Sequence, residues 1–180
     1  MAVAPAVDVS FLLALRHGRW VEESSLGAEI PLTEVTDPDD LEGAVRIRPT
    51  ADPEVRMEDA LAPLAMWLCF NAVTELAADR PATVEAYSYH AETRLVPHGW
   101  WVEISGDLVP TVRMYRPALQ EGLAACGERI LGFFQRLGPP YDETATLLEE
   151  PRRRAREALS GAQTTYPGPD PAAGSRPSSG

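Results

Sequence analysis

The chain has 180 residues, a formal net charge of −11 and no lysine among its sixteen basic residues. A field that acidic repels phosphate backbones and argues against nucleic-acid binding. Its longest apolar stretches, broken by Glu, Asp and Pro, fall short of a membrane span. The two cysteines, Cys69 and Cys126, stand in apolar patterns with no CxxC spacing and read as buried reduced thiols of a cytoplasmic protein. Arginine-only basicity beside abundant Ala, Gly and Pro is the mark of a GC-rich bacterial genome. Residues 1–60 carry thirteen acids against five arginines, which suits steering toward a basic partner as well as plain solubility.

In chain order, residues 1–7 read as a flexible arm, and MAVAPAVDVS has no positive charge ahead of an apolar run, unlike a secretory signal. Asp8 to His17 fits two patterns. Val7, Val9, Phe11, Leu13 and Leu15 alternate as in a strand closed by a His17-Gly18 turn. Asp8 as cap, with Phe11, Leu12 and Leu15 on one face and Gly18 as stop, makes a helix, and the helix is the preferred expectation. Ala28 to Ile30 and Leu32 to Val35 are strand candidates split by Pro31. Asp37-Pro38-Asp39-Asp40-Leu41-Glu42-Gly43 lacks the ligand spacing of a calcium loop. It reads instead as one helical turn, capped by Asp37 and stopped by Gly43. Ala44 to Arg48 alternates as a short strand. Asp52-Pro53-Glu54 repeats the cap signature ahead of a helix to Ala78, broken near Pro63, whose face is Leu61, Leu64, Leu68, Ala72 and Leu76. Trp67 and Phe70 lie beside that stripe, widening the buried face or meeting a partner.

Residues 83–137 read as a β-β-β-α unit. Thr83 to His90 is a strand, Pro97-His98-Gly99 turns into Trp100 to Ile104, and Gly106-Asp107 turns into Leu108 to Tyr115. Pro117 opens a helix with Leu119, Leu123, Cys126, Ile130, Phe133, Phe134 and Leu137 on one face, stopped by Gly138-Pro139-Pro140. Asp142 to Leu159 reads as a last helix interrupted at Pro151, where Glu149–Arg153 and Glu150–Arg154 pair if the helix continues. Gly161 to Gly180, rich in Pro, Gly and Ser, reads as a disordered tail. The expected fold is one α+β domain over 8–160, a two-layer sandwich of mostly antiparallel sheet with two main amphipathic helices on one face.

No motif for nucleotide, metal or nucleophilic chemistry is present, and no cofactor is implied. One candidate constellation for a metal or for acid–base work is His90, Glu92, His98 and Glu103, two imidazoles and two carboxylates near one turn. The same residues also suit an exposed polar sheet face. Trp100 and Trp101, as neighbours in a strand, are expected on opposite faces, so that one indole joins Tyr87 or Tyr89 in an outer aromatic patch. These aromatics, with Asp37, Asp39, Asp40 and Glu42, make the expected partner-binding set. The function that follows is a non-catalytic, acidic protein-binding domain, immunity-like, an adaptor or an assembly subunit, with another protein or itself as partner. A metal-dependent or small-molecule enzyme built on the His/Glu cluster, or a self-assembling subunit, are the alternatives.

Overall fold

The apolar run near the start of the chain is a strand, not the preferred helix. In the computed structural model, which describes residues 6–26, 34–35, 37–50, 52–88 and 90–163, β1 (Val7–Leu15) is an interior strand. Val9, Phe11, Leu13 and Leu15 enter the core, and Leu12 and Ala14 on the opposite face are buried as well. A strand buried on both faces has no clean alternation, so its apolar run also satisfies a helical period.

β1 turns through His17, held at a φ of 63°, into β2 (Arg19–Glu22) and pairs on its other side with β3 (Glu42–Pro49). β3 pairs in turn with β4 (Val55–Ala60), which gives an antiparallel sheet of order β2-β1-β3-β4. The expected helical turn at 37–43 is absent. Asp39 N–H bonds Asp37 Oδ1 at 2.9 Å in a bend, and Gly43 lies inside β3. A Cβ there would meet Leu12 O at 2.5 Å, so glycine serves close packing and not helix termination. The signature at Asp52-Pro53-Glu54 likewise precedes a strand. Val55, Met57 and Asp59 point inward with period two, and the helix begins only at Leu61. The strand candidates over 28–33, Tyr89 and residues 164–180 of the expected tail lie outside the described residues.

Helix α1 spans 61–77, with α-helical ends (Leu61–Pro63 and Ala72–Ala77) around a π-helical middle, Leu64–Asn71. It is apolar nearly all round and runs through the core. The second sheet follows: β5 (Ala82–Ala86), β6 (Ala91–His98), β7 (Trp101–Gly106) and β8 (Val112–Tyr115), an antiparallel meander in chain order. Thr83 to His90 is thus a strand plus a turn, and β6 is a further strand that carries Pro97 opposite Val102. Asp59, buried in β4, joins the two sheets by accepting Tyr87 N–H at 2.7 Å and Ser88 Oγ–H at 2.8 Å.

Helix α2 (Arg116–Leu137) packs its expected apolar face on β1, β8 and α1, with Phe133 5.8 Å from Phe11. Helix α3 (Asp142–Gln163) lies against α1 and α2 and continues through Pro151, past the expected interruption there and past the start of the expected tail at Gly161. Arg154 pairs with Glu150 as anticipated (3.7 Å), while Glu149 takes Arg152 (2.8 Å) and Glu150 takes Arg153 (2.8 Å). The fold is α+β, with antiparallel sheet backed by helices. No helix among the described residues is long and apolar enough to cross a membrane. Cys69 on α1 and Cys126 on α2 are free and buried. The neighbouring Cys126 thiol and burial push the Cys69 thiol well above its ordinary value, which suppresses a reactive thiolate.

Two glycines of α2 separate packing from helix propensity. A Cβ on Gly127 would lie 2.6 Å from the Phe70 ring and 2.8 Å from Cys69 Cβ, whereas on Gly132 it would meet only Arg136 Nη1 at 3.7 Å. Gly127→Ala is expected to destabilise by about 1–3 kcal/mol through overpacking. Gly132→Ala should stabilise by about 1 kcal/mol. Urea denaturation of both variants should give shifts of opposite sign.

Candidate functional site

The cross-strand registers place Glu92, His98, Glu103 and Trp101 on the second sheet. Glu92 opposes Glu85, Val96 opposes Glu103, and His98 opposes Trp101, so these side chains share the outer face, away from the helices. β6 alone is eight residues long, which separates His90, in the β5–β6 turn with φ 50°, from His98 by about 25 Å at strand rise. The carboxylates are engaged elsewhere: Glu92 with Arg94, and Glu103 with Arg113 at 3.1 Å. No group of three or more His, Cys, Asp or Glu able to hold a metal occurs among the described residues. The four residues of the His/Glu constellation do not assemble.

The tryptophans depart from expectation in another way. Trp100 sits in the β6–β7 turn, so it and Trp101 are not successive residues of one pleat. Both reach Tyr115 of β8. Trp100 stacks on its ring (6.1 Å, 18° between planes) and Trp101 meets it edge-on (6.1 Å, 71°). Trp101 is 45% exposed, on a face that the helices leave uncovered. Tyr87 is more exposed still but lies beyond the far end of β6, so it is not part of this cluster. The outer face therefore carries aromatics at two separate ends.

At the Tyr87 end, α1 contributes Trp67, 43% exposed on an otherwise buried helix. Its indole reaches the free edge of β5, where Trp67, Tyr87, Thr83 and Glu85 line a pocket of about 240 Å³. Trp67 is a residue the sequence marks as off the helical stripe. Glu85 has no comparable signal, since it reads as one polar position in an alternating strand.

A cleft of about 360 Å³ separates β4 from the β5–β6 pair, lined by Met57, Leu64, Val84, Ala91, Thr93 and Val109. Arg56 and Glu58 at its mouth are 2.8 Å apart and neutralise each other. The cleft holds apolar atoms well but offers no acid–base pair for chemistry.

Asp37, Asp39 and Asp40 are exposed in the loop ahead of β3, and Glu42 opens the strand. The loop is tied to the helices by Tyr141, whose hydroxyl donates to Pro38 O and whose ring packs 5.9 Å from Phe134. Burial, with Asp39 and Asp37 nearby, raises the Tyr141 phenol above its ordinary value. The acidic segment is thus a fixed surface feature.

Partial desolvation of the Asp40 carboxyl within the otherwise exposed loop, then the nearby Asp37 and Asp59 carboxylates, raise it above the ordinary 3.8. A carboxyl whose pKa rises on folding stabilises the fold while protonated. That contribution is full below pH 3.8 and is lost as pH climbs through the raised value. Asp40→Asn is therefore expected to raise the urea midpoint over wild type at neutral pH. The advantage should shrink toward nothing as pH falls below the ordinary carboxylate value.

Comparison with known proteins makes no assignment, since no family model, no curated protein and no solved structure matches the chain.

Proposed function

We propose that the chain is a non-catalytic protein-binding domain, an adaptor, immunity-like protein or assembly subunit of a bacterial cytoplasm, that recognises its partner through the outer face of the β5–β8 sheet. The observation that carries this reading is Trp101, 45% exposed on the outer sheet face and packed edge-on against Tyr115 of the next strand, on whose ring Trp100 stacks from the turn. Large aromatics held by their neighbours bury much area at little entropic cost, and they dominate binding energy at interfaces. The ion pair Glu103–Arg113 adjoins the cluster as a polar rim does. The acidic loop at Asp37, Asp39, Asp40 and Glu42 then supplies long-range steering toward a basic partner.

Native mass spectrometry of protein purified from its own host tests this reading. Wild-type protein should carry a second, different protein, and Trp101→Ala, folded by circular dichroism, should lose it. A bare monomer, or a monomer carrying a metal or small molecule, would refute the proposal, and a homo-oligomer would replace it with self-assembly. With the partner in hand, reversing the charges of Asp37, Asp39 and Asp40 together should slow association about tenfold or more at low salt and leave dissociation nearly unchanged.

A further inference from the structure

The two sheets present the same chemical corner, filled in one and open in the other. On the first sheet, Trp20 of β2 reaches across to β4, where the Arg56 guanidinium lies 4.1 Å from the indole centroid and 2.8 Å from the Glu58 carboxylate. Indole, guanidinium and carboxylate form a complete set, with the cation held by the ring face and by an acid. On the second sheet, Trp67 and Tyr87 wall a pocket of about 240 Å³ whose one acidic or basic side chain among the described residues is Glu85. Here the indole and the carboxylate line the pocket and, among the described residues, no cation does; Arg154, which lines the adjoining pocket beside Trp67 and Thr83, pairs with Glu150 instead.

The charges around Glu85 sharpen the contrast. Its cross-strand partner is another carboxylate, Glu92, and like charges directly opposite in an antiparallel pair destabilise it. Arg94, the nearest cation along that strand, is bonded to Glu92. Among the described residues Glu85 makes no ion pair. A cation entering the pocket relieves that repulsion and meets the aromatic side chains of Trp67 and Tyr87, so the site selects by charge and by a flat or soft cationic surface.

The backbone holds the walls in place. Tyr87 is fixed through its N–H to the buried Asp59 at 2.7 Å. Trp67 stands in the π-helical turn of α1, where Ala72 N–H reaches back to Trp67 O. Helical turns of this kind recur at functional sites because they push one side chain out of register.

We infer that Trp67, Tyr87 and Glu85 form a docking pocket for an arginine side chain of the partner protein, in the role that Arg56 plays at Trp20. The inference rests on the protein-binding reading and supplies a chemical identity for one anchor of the partner. The planar guanidinium is favoured over an ammonium because it stacks on an indole while its edge donates to a carboxylate.

The test uses Nα-acetyl-arginine amide as probe and the citrulline analogue, a neutral isostere, as control, with the Trp67 indole N–H followed by NMR and assigned through Trp67→Phe. The arginine probe should shift that resonance saturably with a dissociation constant of millimolar order, and Glu85→Gln, an exposed substitution, should weaken it about three- to tenfold. Citrulline amide should leave the resonance in place. Equal shifts with citrulline, no shift with arginine, or indifference to Glu85→Gln would each overturn the pocket. Because the probe is a free amino-acid derivative, such a failure leaves the protein-binding reading standing. That reading depends instead on the Trp101→Ala complex.

Discussion

A buried guanidinium holds the second half of the molecule in register. Arg116, the first residue of α2, is 1% exposed. It donates to Leu76 O at the end of α1, to Gly99 O in the β6–β7 turn at 3.2 Å, and to Asp79. Its own N–H bonds Trp100 O at 2.8 Å. One residue thus satisfies the negative end of a helix and fixes a turn through its side chain, and starts the next helix through its backbone. The arrangement depends on these partners, since a buried charge stripped of them costs about 3–5 kcal/mol. The turn it fixes carries Trp100, and β8 before it ends in Tyr115, so the aromatic cluster inherits its geometry from a residue that never reaches the surface.

Asp59 has the complementary role at the other end. Its carboxylate accepts Tyr87 N–H and Ser88 Oγ–H, and it also accepts Ala60 N–H at 2.9 Å, where α1 begins. Between Arg116 and Asp59 the central helix is fixed at both ends, and each fixed point lies beside one aromatic end of the outer sheet face. Stability and presentation are therefore coupled: a buried charge orders each turn, and the turn aims an exposed ring.

The same logic separates the surface that is finished from the surface that is not. Across the first sheet, arginines meet acids within the chain: Arg46 with Glu22 at 2.8 Å, Arg48 with Glu54 at 3.3 Å, and Arg56 with Glu58 at 2.8 Å. α3 is paired over 149–157, and Arg152 and Arg156 share Glu128 on α2. Such exposed pairs add little stability individually. They do occupy the arginines of these surfaces, whereas Glu85, in the pocket lined by Trp67 and Tyr87, makes no ion pair among the described residues and Trp101 stays exposed on the second sheet.

The expected tight turn at Gly106-Asp107 is instead a loop over 107–111, and the strand expected from Leu108 begins only at Val112. The fold class and α2 with its Pro117 start and Gly138 stop were legible from sequence, because periodicity and cap chemistry are local properties. β1, β4 and β6 were not. β1 is buried on both faces, β4 follows a helix-cap signature, and β6 contains Pro97, so in each the local preference is ambiguous or opposed and strand pairing decides. Trp67 stood out as off the helical stripe, yet its pocket needed Glu85 and Tyr87 from another element. Arg116 and Asp59 look like ordinary surface charges in one dimension, and only their burial beside particular carbonyls and amides gives them their roles. Sequence by itself determined the chemistry available on each element. The tertiary structure decided which groups meet, because neutralising a buried charge or leaving one open depends on neighbours brought together from distant parts of the chain.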